Sequence, residues 1–493
     1  MTTSWSEPWA AMGPTFHHGG WNDANDKLTV RDPESGDWLA EVGSMSAGEV
    51  SDAVDDIAAC LADEPDWPVW QRRQTLADAS DMVAAREHEL VEVIVRESSK
   101  TIREATREVR RVQETLRLTS EQADRLCGET LPLAQTPRGG DRLGWFTREP
   151  VGIVAAITPF NDPMNLVVHK IAPALMAGNG VALKPAESTP LSALAIAEIL
   201  LECGVPGRRI AVLPGTGEIA GAALASHPRV DLVSFTGGRL TGEEVARAAG
   251  AKKTLMELGG NCAVVVLNDA DCASAALAVV YGAFGGAGQN CVSVQRVFVA
   301  RRVYESFLDE VVRLTRSLTV GSKRDLGTDV GPMINEAAAS RVEDWVDEAL
   351  SRGAKVLIGH ERKGTFYAPT VLTGVPTTAR LMSEEVFGPV VIIEPVESVQ
   401  EAVGRVNETD YGLQAGVFTA DIELALRIGD QLRVGGVLIN DTSDFRIDAM
   451  PFGGPKRSGI GREGVRYSIE AMTEPKITII NRRRPDSGLS ADA

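Results

Sequence analysis

From residue 151 onward the chain alternates short β-rich runs with helical stretches: VGIVAAITP, a helix near 165–176, GVALKPA, a helix near 190–203, RIAVLPG, then VDLVSFTGG. This alternation constrains the fold most, because parallel neighbours in a sheet cannot be joined by a tight turn and need a crossover helix. A doubly wound α/β sheet of the dinucleotide-binding kind is therefore predicted. A second alternating block runs from about 262 to 440, with VVVL, RVFVA, KVLIG, PVVIIEPV, AGVFTA and GGVLIN as its strands. Ahead of both, residues 47–126 carry Ala, Leu, Val, Arg and Glu at helical spacing and predict successive amphipathic helices. The turn-rich LPLAQTPRGGDRLG ends that region, and PKITIIN is a last strand before RRRPDSGLSADA, which reads as a solvated tail.

At 493 residues the chain is too long for one core, so two or three domains are expected. A net charge of −18 opposes a broad nucleic-acid or anionic-membrane footprint and favours small-molecule partners. The six cysteines show no C-x-x-C spacing, as expected of free thiols in a reducing, cytoplasmic setting. The six histidines are scattered, so no metal site is predicted. MTTSWSEPWAAMG lacks the basic and apolar regions of a signal peptide. The run ASAALAVVYGAFGGAG is too short and glycine-rich to span a bilayer.

Four fragments could carry chemistry, and each also has a plain structural reading. In VSFTGGRLTG, Gly237 and Gly238 end a strand and lead into a helix near Thr241. Such a turn either lets backbone N–H groups approach a pyrophosphate or merely reverses the chain. KPAE puts Lys184 and Glu187 at a strand's carboxyl end, as ribose-binding groups or as a solvated ion pair. In LMELGGNCAVVV, apolar neighbours would raise the pKa of Glu257 and make it a general base, unless it partners a nearby backbone N–H. In GGAGQNCVSVQRVFV, Cys291 follows a glycine-rich loop whose amides could favour a thiolate nucleophile; otherwise it is a packing thiol. Cys60, Cys127, Cys203 and Cys272 lie on helical patterns and read as inert packing.

ITPFN at 157–161, KPAE, FTGG, ELGGN, GQNC, EEVFGP and PFGGPKRSGIGREG occur together in the order and spacing of the aldehyde dehydrogenase superfamily, which the chain resembles over nearly its whole length. The resemblance implies a Rossmann-like NAD-binding domain (1–131 and 150–258), an α/β catalytic domain (259–457), and a β-hairpin oligomerisation arm with the C-terminal tail (132–149 and 458–493). The arm would pair RLGWFTREP with PKITIIN and leave two edges for a homodimer or homotetramer to cover.

By the same resemblance, Cys291 attacks an aldehyde carbonyl, the Asn161 side chain and the Cys291 N–H hold the oxyanion, and Glu257 activates water to hydrolyse the thioester. Lys170 would support this catalytic set. The cofactor would lie against Thr158, Pro159, Phe160, Lys184, Glu187, Gly215, Phe235, Gly237, Gly238, Thr241, Leu258, Glu385 and Phe387. Glu187 near the adenine ribose would repel the extra phosphate of NADP, so NAD is expected and NADP is possible.

NDTSDFRIDAMPFGGPKRSG and GQNCVSVQRVFV are most similar to lactaldehyde, non-phosphorylating glyceraldehyde-3-phosphate and phosphonoacetaldehyde dehydrogenases. Arg111 and Arg446 could face a polar or anionic substrate, or form structural ion pairs. Asp162 replaces the histidine, and Asn290 the arginine, that such relatives often carry, and both changes remove positive charge. A short hydroxylated aldehyde is therefore expected. The alternatives are an anionic phospho- or phosphonoaldehyde, a CoA-acylating reaction, which would need no hydrolytic Glu257, and a catalytically silent homologue.

Overall fold

The structure is a computed structural model that describes residues 14–64 and 67–482. MTTSWSEPWAAMG and nearly all of the expected C-terminal tail lie outside the described residues.

Two large sheets organise the chain. The first has eight strands, in the spatial order Gly20–Asp23, Pro14–His17, Ile210–Val212, Gly180–Lys184, Ile153–Ile157, Leu232–Thr236, Lys253–Glu257 and Gly459–Ile460. The middle five are parallel. From Ile153–Ile157 the chain winds outward through Gly180–Lys184 and Ile210–Val212, then crosses back to place Leu232–Thr236 on the other side. That reversal opens a crevice at the carboxyl ends of Ile153–Ile157 and Leu232–Thr236, where open α/β sheets bind ligands.

Strand alternation explains the packing. Val154, Ala156, Val181 and Leu183 enter one core with the helices from 69 to 120, whereas Ile153, Ala155, Ile157 and Ala182 enter the core on the opposite face. The helix Asn165–Ala177 is buried along its entire length, which suits its apolar sequence, and ends at Gly178 in the left-handed region at φ 96°. The helix Ile102–Ser120 starts with a capping box between Thr101 and Glu104.

The second sheet runs Lys355–Ile358, Thr370–Thr373, Val390–Val396, Val294–Ala300, Cys262–Val266, Gln414–Phe418 and Gly436–Ile439. Only the Lys355–Ile358 edge strand is antiparallel to its neighbour. Arg142–Pro150 pairs with Thr473–Asn481 over nine residues, and Glu129–Leu131 adds a third strand on its other side.

The structure departs from the sequence expectations in several places. Lys253–Glu257 is a full strand of the first sheet, and four short strands between residues 14 and 44 precede the helices. Gly459–Ile460 pairs with Met256 and Glu257, and the helix Val465–Ala471 packs on Asn165–Ala177. Residues 459–471 therefore pack with the first sheet and its helices. The helix after Gly238 begins at Arg239, two residues before Thr241. Cys127 lies exposed outside any helix, whereas Cys60 is buried in one. No helix among the described residues is long and apolar enough to cross a membrane.

Candidate active site

Cys291 sits in the loop between the helix Cys272–Phe284 and the strand Val294–Ala300. Gly286, Ala287 and Gly288 precede it in the left-handed region. A side chain at Gly288 would meet the Gly388 carbonyl oxygen at 2.1 Å, so this loop packs backbone to backbone against the loop carrying Glu385 and Phe387. Gln289 anchors it further, donating to Ser99 Oγ at 3.0 Å and accepting from the Ile334 N–H at 3.0 Å. A Cβ at Gly260 would stand 2.4 Å from the Cys291 carbonyl oxygen, which brings the ELGGN turn directly onto the cysteine. Burial pushes the Cys291 thiol well above the usual cysteine range, and the Arg446 guanidinium opposes that shift.

Glu257 ends the strand that carries it and is only 2% exposed. Neither of its carboxylate oxygens has a hydrogen-bond partner among the described residues. Burial and then the neighbouring Glu463 carboxylate raise its pKa well above the ordinary range, while Arg446 and Lys170 pull against them. A Cβ at Gly453 would come within 2.5 Å of Oε1, so the PFGG turn closes over this carboxylate. Lys170 is fully buried and pairs with Glu463 Oε1 at 2.5 Å, donating also to Ser234 Oγ at 3.2 Å. Glu463 lies in the fragment PFGGPKRSGIGREG, but nothing in its local pattern marked it as part of the site.

The crevice of the first sheet holds the residues expected to face the cofactor. Thr158, Pro159, Phe160 and Asn161 form the turn after Ile153–Ile157, with the buried Thr158 hydroxyl unpartnered among the described residues. Phe160 meets Phe387 edge to face, with ring centroids 5.8 Å apart. Gly238 begins the helix Arg239–Ala249, and a side chain built there would meet open space. Gly237 packs onto the Phe235 ring and Gly242 onto Leu258, whose N–H bonds the Ser458 carbonyl. At Gly215 a Cβ would approach Ala220 to 2.7 Å. Glu187 accepts from the Gly217 N–H at 2.6 Å and lies 3.7 Å from Lys184. Glu385 accepts from the Gly260 N–H at 3.0 Å, and burial pushes its pKa up to about 8. An open helix N-terminus, an unpaired buried hydroxyl and a carboxylate at the strand end suit a dinucleotide.

The aldehyde dehydrogenase family model matches residues 21–478. The chain belongs to the aldehyde dehydrogenase family. Its relatives include aspartate-semialdehyde dehydrogenase 1 of Pseudomonas canavaninivorans, 42% identical over 92% of this chain and 96% of that one. The 3-sulfolactaldehyde dehydrogenase of Priestia megaterium is 41% identical over 94% and 97%. Among solved structures, the NADP-dependent glyceraldehyde-3-phosphate dehydrogenase of Bacillus halodurans complexed with NADP superposes with a TM-score of 0.93 at 37% identity, covering 96% of this chain and 99% of that one. The protein is an NAD(P)-dependent aldehyde dehydrogenase with the family's α/β fold.

In this dehydrogenase the residues expected to meet the substrate form a dense charge network. Asp162, expected to remove positive charge from the substrate side, is itself paired with two cations. Its carboxylate bonds Lys100 and lies 3.4 Å from Arg111. Burial works against the charged form, but Lys100 and then Arg111 hold its pKa below the usual range. Arg111 donates to Asp448 Oδ1 at 2.7 Å, and Asp448 also binds His169 at 2.7 Å. Asn290 accepts from the Cys291 thiol through Oδ1 at 3.8 Å and donates through Nδ2 to Asp444 at 2.6 Å, and burial pushes Asp444 up to about 6. Arg446 stacks 3.8 Å over Phe452 with Nη2 3.6 Å from Glu463, leaving Nε and Nη2 without hydrogen bonds among the described residues. Sequence reading missed Lys100, Asp444 and Asp448, because Lys100 lies far from the other two in the chain and joins their network only through the fold. Among the described residues no cluster of three or more His, Cys, Asp or Glu is arranged to hold a metal ion.

Proposed function

We propose that this dehydrogenase oxidises a short, uncharged, hydroxylated aldehyde to its carboxylic acid, with NAD as the preferred cofactor. The observation that carries the reading is Glu257, buried, raised in pKa and unpartnered, on the turn that packs directly against Cys291. Cys291 gives up its thiol proton to water, the thiolate adds to the aldehyde carbonyl, and the Asn161 side-chain amide and the Cys291 N–H stabilise the oxyanion. NAD(P), bound in the crevice between Gly238 and Glu187, supplies the hydride acceptor. The oxyanion then collapses to a thioester on Cys291. Glu257 takes a proton from water as it attacks the thioester carbonyl, and the acid leaves as the thiol is restored. Such a base is what a hydrolytic reaction needs, and a CoA-acylating one does not. Lys170 and Glu463 act through Glu257, by setting the charge around it.

Residues 132–149 and 472–482 form the arm, through which the chain assembles as a homodimer or homotetramer, and the enzyme works in the cytoplasm. The arm's edge strand Thr473–Asn481 supports assembly, since it exposes Ile477, Ile479 and Ile480. Arg446 Nε and Nη2, which make no hydrogen bond among the described residues, favour a second reading, a singly anionic short aldehyde whose acid group meets that guanidinium. A panel of glycolaldehyde, lactaldehyde, sulfonated, long alkyl and aromatic aldehydes, followed by NADH absorbance, tests both. The first reading expects the hydroxylated aldehydes to give the highest kcat/KM, and turnover best with long alkyl or aromatic aldehydes contradicts both.

A further inference from the structure

The charge network gives Asp162 a role that its position beside Asn161 alone does not. Lys100 and Arg111 converge on the Asp162 carboxylate from two segments of the helical region. The other contacts of these cations are also carboxylates: Lys100 meets Glu108 at 2.9 Å, and Arg111 meets Asp448 at 2.7 Å. Glu108 and Asp448 are buried and committed elsewhere, Glu108 to the N–H groups of Met164 and Asn165, Asp448 to His169. Asp162 alone of the three carboxylates keeps appreciable exposure, at 23% of its side chain. It is tied to the cysteine's side of the site, because Asp444, which feels its charge, holds Asn290 beside Cys291.

We propose that Asp162 is a specificity-determining residue that occupies Lys100 and Arg111 in place of a substrate's acid group, and so selects uncharged short aldehydes over their sulfonated or phosphorylated counterparts. This rests on the reading that the Cys291 site oxidises a short uncharged aldehyde. An incoming sulfonate meets two cations already matched, and its own charge adds to that of Asp162. Removing the carboxylate leaves the two cations facing the site with a vacant acceptor position between them. A unit charge a few ångströms away in a partly buried site changes binding of an anion by at least about tenfold.

The test is the ratio of kcat/KM for 3-sulfolactaldehyde to that for lactaldehyde, two aldehydes that differ by one sulfonate, measured in the presence of saturating NAD. The ratio cancels losses common to both substrates. Asp162→Asn and Asp162→Ser are both expected to raise it at least about tenfold, and the charge-retaining Asp162→Glu to leave it within about threefold of wild type. A wild-type ratio below one, with no rise in either neutral variant, overturns the gate and leaves the substrate reading standing. A wild-type ratio above one contradicts the substrate reading itself.

Discussion

Lys170 and Glu463 form a buried ion pair, Nζ to Oε1 at 2.5 Å, with neither side chain more than 1% exposed. Glu463 is also the largest charge acting to raise the Glu257 pKa, so the pair sets the electrostatic surroundings of the candidate base. Glu463→Gln removes that repulsion but strands the Lys170 ammonium in a dry interior. Breaking one side of such a pair costs about 3–5 kcal/mol, so denaturant unfolding followed by fluorescence is expected to show a loss of that order. The conservative Glu463→Asp should recover part of it.

The raised Glu257 pKa makes a prediction about pH. The base works only when ionised, so kcat is expected to fall as pH drops through the raised pKa, above the ordinary carboxylate range. Stability has the opposite sign. Because the folded-state pKa lies above the unfolded one, the charged form destabilises the fold progressively as pH rises between the two values. Glu257→Gln is expected to lower steady-state kcat by roughly 10²–10⁴-fold and to remove the acidic limb, while unfolding at higher denaturant than wild type at neutral pH. Rate profiles and equilibrium unfolding across pH check both.

The strand pattern after residue 151 made much of the two sheets legible, because fully buried parallel strands such as GVALK and VVIIEPV read as continuous apolar runs. Lys253–Glu257 was missed since its KTLME sequence carries charge at both ends and shows no β-branched run. The candidate nucleophile and base were recognisable from their glycine-flanked fragments. The charges around them were not. Lys100 and Asp448 contribute to one network from loops almost 350 residues apart, and only the fold brings them together around Asp162 and Arg111.

The proposed preference for NAD rests on Glu187. Its carboxylate is fixed by the Gly217 N–H at the strand end where an adenine ribose would sit. NAD is therefore expected to exceed NADP in kcat/KM. A fixed charge within about 4 Å contributes roughly 1–4 kcal/mol, so Glu187→Gln should shift the NAD to NADP ratio toward NADP by about tenfold or more. A strong NADP preference in wild type would contradict this.

The proposed assembly would use the open edge of the arm. Ile477 and Ile479 project from one face of Thr473–Asn481 and are 60% and 52% exposed. Ile479→Asp is expected to shift sedimentation from a dimer or tetramer to the monomer, because a buried unpaired carboxylate at an interface is strongly unfavourable. Sedimentation of wild type as a stable monomer would contradict the proposed assembly.

The proposed oxidation depends on covalent chemistry at one sulfur. Glu257→Gln, mixed with NAD and lactaldehyde and quenched in acid within the first turnover, should accumulate the acyl-enzyme, since its hydrolysis is slowed. Mass spectrometry of the digested protein is expected to find the peptide containing Cys291 heavier by the mass of the aldehyde less two hydrogens, with Cys60, Cys127, Cys203, Cys262 and Cys272 unmodified. NADH formed with no such adduct on Cys291, or with the adduct on a different cysteine, would contradict the central claim.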